Sequence, residues 1–179
     1  MKFFGKVILL TLSLVVFAAL TVCCAKSAEQ QQKEANRILA ADTFRSLLKI
    51  ESAIEVGVNY QKYGELLIDA KTYVNEANLR LTDANIKKTF NNVIEEFSDA
   101  LKIWKHKIDN SSYSFGSKLY SYSEPGKTII LKYSIPTEKD SIGSYADADG
   151  AMQVIWAKAT VDLLAAWPSI QALEGKKPK

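Results

Sequence analysis

Few side chains in this 179-residue chain combine a reactive type with a spacing that chemistry can use. His106 is the only histidine, and Met152 is the only methionine besides the initiator. On facing helices such a pair can ligate a haem iron from opposite sides. The neighbours of His106 argue otherwise, because Lys105 and Lys107 flank it and point to a solvated position beside the apolar seam of Trp104 and Ile108. Covalent haem attachment is excluded, since no Cys-x-x-Cys-His occurs. The carboxylates Glu51, Glu55, Glu95, Glu96 and Asp99 suggest a di-iron bundle, but that site needs two Glu-x-x-His motifs, which one histidine cannot supply. Asp147-Ala148-Asp149-Gly150 has the spacing of a calcium loop, yet its preceding ligand position is Tyr145 and its closing position is Trp156. Capping of a helix by Asp147, with Asp149 in the first turn, accounts for these residues better. Phosphate-loop, dinucleotide and nucleophile-elbow fingerprints are absent. The expectation is a non-enzymatic protein with no catalytic residue, no metal and no cofactor.

The remaining reactive groups are Cys23 and Cys24, the only cysteines. They follow a basic start, Met1-Lys2-Phe3-Phe4-Gly5-Lys6, and an unbroken apolar run from Val7 to Val22. That run is shorter than the roughly 20 residues of a spanning helix, and small residues follow it. Together these features predict a cleaved secretory signal peptide over residues 1–23. The junction resembles the lipobox of bacterial lipoproteins, in which the cut precedes a cysteine that receives a diacylglycerol group. Leu20-Thr21-Val22-Cys23 has the leucine but a bulky Val22, whereas the Cys24 register has a small residue before the cut but Thr21 at the leucine position. Lipid attachment is therefore expected at Cys23 or Cys24, which places the protein on the extracytoplasmic side, anchored to a membrane. Ala25-Lys26-Ser27 offers a competing cut after Ser27 that releases a soluble exported or periplasmic protein, and retention as a membrane helix is a third possibility. In every case the folded part has no disulfide, so its stability comes from packing.

Loss of Lys2 and Lys6 with the leader takes the count from 23 basic against 20 acidic residues to 21 against 20. A near-neutral domain has no electrostatic reason to bind nucleic acid, and none is expected as a partner. A chain of this size can bury about 70% of its unfolded surface, enough for one unassisted core. Residues 24–37 read as a polar tether or a frayed helix start, 38–173 as a single helical domain, and 174–179 as a basic disordered tail.

Four segments carry apolar residues at helical spacing. The first, 38–56, returns Phe44, Leu47, Leu48 and Ile54 to one side and ends at Gly57, which takes the left-handed cap conformation without a clash. The second, 60–81, opens on the cap Asn59 and repeats Tyr63, Leu67, Ala70, Val74, Ala77 and Leu81. The third, 83–108, is capped by Thr82 or Asp83 and keeps Ile86, Phe90, Val93, Phe97, Leu101, Trp104 and Ile108 in register. The last, 147–172, carries Met152, Ile155, Ala159, Leu163, Ala166 and Ile170, and Pro168 is expected to end or kink it. The predicted fold is all-α, an antiparallel four-helix bundle.

A connection from 110 to 145 is too long for a structureless loop. Within it 128–135 is partly alternating and β-branched, and Pro125-Gly126 signals a turn. Paired with 117–122, it predicts a short β-hairpin-like insertion between the third and fourth helices. The insertion is rich in serine and aromatic residues, and Tyr113, Phe115, Tyr120 and Tyr122 form a candidate recognition surface. Tyrosine offers large contact area at low entropic cost. Equally, one aromatic face could close the end of the bundle.

Glu55-Val56-Gly57-Val58-Asn59-Tyr60-Gln61-Lys62-Tyr63, followed by Leu66-Leu67-Ile68-Asp69-Ala70-Lys71 and Trp104, resembles a group of small exported helical bacterial proteins of uncharacterised activity. The resemblance covers the first three helices and implies an exported helical domain without catalytic residues. A binding or structural module of the cell envelope is the expected function, with the membrane as partner through the N-terminal lipid and an envelope protein or glycan as a further one. A soluble exported bundle holding a small molecule or haem-type cofactor is the alternative.

Overall fold

The computed structural model describes residues 28–113 and 116–173. The signal segment, Cys23, Cys24, Phe115 and the basic tail lie outside the described residues. The chain divides into two compact units, Met1–Asn36 and Arg37–Lys179. Of the first, residues 28–36 form the opening turns of helix α1 (Ala28–Val56), polar and tied by an i,i+4 ion pair from Lys33 to Glu29 at 2.7 Å. The glutamine-rich stretch is thus helical, ten residues ahead of the expected start at 38. All that follows concerns the second unit.

Local chemistry sets the helix ends where the sequence places them. Gly57, at φ +86°, terminates α1, and its N–H donates to the Ile54 carbonyl at 3.2 Å. Asn59 caps α2 (Tyr60–Arg80), its side-chain oxygen accepting from the Lys62 N–H at 2.8 Å. Asp83 caps α3 (Ala84–Asp109) by accepting from the Asn85 and Ile86 N–H groups at 2.9 and 3.0 Å. Each cap satisfies donors that have no partner inside the helix. Across α2 and α3, Asn78 and Asn91 exchange two amide hydrogen bonds of 2.8 Å.

The buried faces of these helices meet in one apolar cluster. Leu39, Phe44, Leu47 and Ile50 of α1 join Tyr63, Leu67 and Val74 of α2, Ile86, Phe90, Val93 and Phe97 of α3, and Ala159, Leu163 and Ile170 of the last helix, α5 (Ala148–Leu173). Tyr63 is wholly buried, and its hydroxyl donates to the Phe97 carbonyl at 2.8 Å while accepting the Trp156 indole N–H at 3.1 Å. Burial pushes the Tyr63 hydroxyl well above its ordinary range, so it remains a neutral donor.

The connection between α3 and α5 departs from expectation. It holds strand β1 (Lys118–Tyr120), helix α4 (Gly126–Tyr133), and strands β2 (Glu138–Lys139) and β3 (Ser144–Asp147). Residues 128–135 are therefore not a strand. Ile129, Ile130 and Tyr133 are buried while Thr128, Leu131 and Lys132 face out, a spacing of one and four that only a helix provides. The helix closes with Ser134 left-handed and the Ile135 N–H donating back to the Ile130 carbonyl at 3.1 Å, with Ile135 itself buried. Gly126 is required at its start, since a β-carbon there would sit 2.4 Å from the Tyr120 carbonyl oxygen.

β1 lies within the expected 117–122 arm, but its partner is β3. The three strands run antiparallel in the order β1–β3–β2, with Leu119 opposite Ala146 and Tyr120 opposite Tyr145. Leu119, Ile129, Ile130, Tyr133, Ile135 and Ala146 build a second apolar cluster with Ala100 and Ile103 of α3 and Ala151, Met152 and Ile155 of α5. Among the described residues the protein is mostly helical, with five helices and a three-stranded antiparallel sheet in place of the expected all-α bundle of four helices with a hairpin.

Pro168 neither ends nor visibly limits α5, which continues to Leu173. The lost backbone bond falls on the exposed side of the helix, where Leu164 meets water, and the following turn buries Ile170. Among the described residues no helix is long and apolar enough to cross a membrane.

Candidate functional site

Tyr120, the last residue of β1, is buried, and its cross-strand partner and the residue two positions on are also tyrosines. Its ring centroid lies 5.9 Å from Tyr145, its cross-strand partner, and 5.3 Å from Tyr122 at 31° between planes. Tyr122 is 61% exposed. Its ring rests on the backbone of Gly143, where a β-carbon would come within 3.1 Å of Cε1.

Asp140, in the turn between β2 and β3, organises this patch. One carboxylate oxygen accepts from the Ile142 and Gly143 N–H groups at 2.8 and 3.0 Å. The other accepts from Lys118 Nζ at 2.7 Å and the Tyr120 hydroxyl at 3.0 Å. The Lys118 ammonium beside it, aided by the two backbone donors and the Tyr120 hydroxyl, holds the Asp140 carboxyl well below the usual carboxylate range. Lys118 Nζ also sits 4.2 Å from the centre of the Tyr145 ring, a cation–π contact. The Tyr145 hydroxyl donates to Glu138 at 2.9 Å. The result is a polar-rimmed aromatic patch in which the exposed Tyr122 and the half-buried Tyr145 pack against the buried Tyr120.

Of the four aromatic residues read from the sequence, Tyr120 and Tyr122 come together here. Tyr113 stands exposed in the turn after α3, and Phe115 lies outside the described residues. Tyr145, Asp140 and Lys118 were not legible as site residues. A signal for Asp140 and Tyr145 was present in Asp140-Ser141-Ile142-Gly143, an aspartate turn ahead of a short alternating run, whereas nothing in the sequence marks Lys118.

His106 lines a surface cavity of about 400 Å³ with Lys102, Lys105, Asp109, Asn110, Glu124 and Pro125. Its Nε2 lies 3.3 Å from the Lys118 carbonyl oxygen. Met152 is buried in the second apolar cluster and is not part of that lining. Among the described residues no group of three or more His, Cys, Asp or Glu side chains could hold a metal ion.

A second polar constellation joins α3, α4 and α5. The buried Asp99 carboxylate accepts from Lys102 at 2.7 Å, from Lys132 at 2.8 Å and from the Tyr133 hydroxyl at 2.8 Å. Burial pushes its pKa up, but the three donors together outweigh it and hold Asp99 below its ordinary range. Three residues earlier, Glu96 is also buried, at 4% exposure, and its Oε1 accepts from Lys158 at 2.9 Å. Its Oε2 has no hydrogen-bond partner among the described residues. Burial, reinforced by the Asp162 carboxylate, raises the Glu96 pKa.

No protein-family model matches this chain, and no curated protein or solved structure shows significant similarity to it.

Proposed function

We propose that this chain is a non-enzymatic binding or structural module of the bacterial cell envelope, exported by its leader and held at the membrane by lipid on Cys23 or Cys24. It belongs, in this reading, with the small exported helical proteins that segment 55–63 resembles. The four long helices act as an antiparallel scaffold, a reading supported by the three-residue connections 57–59 and 81–83 and by their shared core. What this scaffold presents is the tyrosine face of the sheet.

The observation that carries the proposal is the preorganised Tyr120–Tyr122–Tyr145 patch. Asp140, Lys118 and Gly143 hold its rings before any partner arrives, which lowers the ordering cost that binding otherwise incurs. An envelope protein or glycan is the partner class. Deleting the insertion is not a clean test, because Leu119, Ile129 and Ile130 belong to the core. A photo-crosslinking residue at position 122 of the tethered protein in intact cells is cleaner, compared with one at the exposed Lys71 of α2. Adducts of discrete mass from 122 alone are expected. The same diffuse background from both positions would remove the support for a recognition face.

A further inference from the structure

Beside the Asp99 constellation, α3, α4 and α5 line a half-open cavity of about 230 Å³ formed by Asn92, Glu95, Glu96, Lys132, Tyr133 and Lys158. It is smaller than the roughly 300–1,000 Å³ clefts that take drug-sized ligands, so it suits a molecule of one ring. Its lining alternates in charge. Lys132 bonds Glu95 at 2.5 Å and Asp99 at 2.8 Å, while Lys158 bonds Glu96 at 2.9 Å and Asp162 at 2.6 Å. A net cation entering this space meets two ammonium groups, and a net anion meets two carboxylates. A hydroxyl group suits both, since it donates to a carboxylate and accepts from an ammonium.

One group in the lining also lacks what a hydroxyl would supply. A buried carboxylate oxygen without a donor is costly, so an unpartnered one just behind a cavity wall marks a position that a ligand can improve once it is uncovered. Glu96 Oε2 is that oxygen. The Lys158 side chain beside it is 47% exposed and, among the described residues, bonds only the Glu96 and Asp162 carboxylates, so it can turn toward Asp162 and open the Glu96 carboxylate to the cavity. We propose that this cavity is a binding site for a small neutral polyol, a single sugar ring or cyclitol, whose adjacent hydroxyls bond the Glu96 carboxylate and the Lys132 and Lys158 ammonium groups. The site is separate from the tyrosine face, and either can fail without the other.

The test uses the full chain in micelles of a sugar-free detergent such as lauryldimethylamine oxide, with saturation-transfer NMR to D-glucose, D-mannose and myo-inositol. Saturable transfer to at least one of them in the millimolar range is expected, with displacement by the others. Glu96→Leu removes the hydroxyl acceptor and should abolish the transfer. Asn92→Phe fills the mouth from an exposed position without touching the ion pairs, and should weaken binding at least tenfold while leaving the melting temperature unchanged. Absence of saturable transfer to all three polyols overturns the proposal. So does transfer that survives Asn92→Phe in a folded protein, or saturable binding of glycine or butylammonium in place of the polyols.

Discussion

Trp156 on α5 donates its indole N–H to the Tyr63 hydroxyl on α2 at 3.1 Å, and that hydroxyl in turn donates to the Phe97 carbonyl on α3 at 2.8 Å. One buried oxygen thereby ties three helices together. Tyr63→Phe removes it without changing the ring, leaving the Trp156 donor unpaired in an apolar setting. A loss of about 1–3 kcal/mol in urea unfolding is expected, with a shift in tryptophan emission. An unchanged midpoint would show that these bonds are replaced by others.

Asp99 and Glu96 lie one helical turn apart and should titrate with opposite sign. The Asp99 pKa is lowered in the fold, so its contribution is complete above the ordinary value of 3.8 and is lost as pH falls below it. Glu96 is raised, so the folded state holds its proton more tightly, and stability falls as pH rises from 4.5 toward the folded value. Asp99→Asn should cost about 2 kcal/mol at pH 6 and flatten the acid limb, whereas Glu96→Leu should flatten the slope above pH 4.5. Urea midpoints across pH 2.5–7 measure both, and slopes of the same sign in the two variants would contradict the assignment.

The insertion separates into core and surface. Ile129→Ala empties part of the second apolar cluster and is expected to cost about 2–4 kcal/mol, roughly 4–16 °C in melting temperature. Tyr122→Ala removes an exposed ring and should stay within about 0.5 kcal/mol of the parent. Equal losses would mean that Tyr122 serves packing rather than recognition.

The anchor is settled by mass and fractionation. Intact mass of the membrane-extracted protein distinguishes lipid on Cys23, lipid on Cys24 and a cut after Ser27. Replacing both cysteines with alanine should move the protein out of the membrane fraction, because burial of acyl methylenes at about 0.8 kcal/mol each supplies the tether. Retention of the double variant in the membrane would point to an uncleaved leader.

The long helices and their caps were legible because the information is local. Gly57, Asn59 and Asp83 act on donors or dihedrals within three residues, and the repeat from Ile86 to Phe97 spans several turns of one face. Residues 128–135 were misread because a short apolar run fits either period, and only the packing of Ile129, Ile130 and Tyr133 against α3 and α5 decides between them. β3 was missed for the related reason that four residues carry little alternation. The charged constellations were invisible on other grounds. Asp99 and Lys132 are 33 positions apart, and Lys118 and Asp140 are 22 apart, so neither pairing leaves a mark on a linear pattern. Of the tyrosine face, composition revealed Tyr120 and Tyr122, while strand register supplied Tyr145.

Trp104 and Trp156 pack against both apolar clusters. Their indoles also touch each other, with centroids 6.1 Å apart, and both touch Tyr63. Neither cluster can come apart without stripping neighbours from the same two rings, so the helical part and the sheet-bearing insertion should melt in one transition. The insertion between α3 and α5 is then no removable ornament: a lesion as remote as Leu119 should lower the temperature at which α1 and α2 unfold, and intrinsic fluorescence should report that coupling as a single sigmoid.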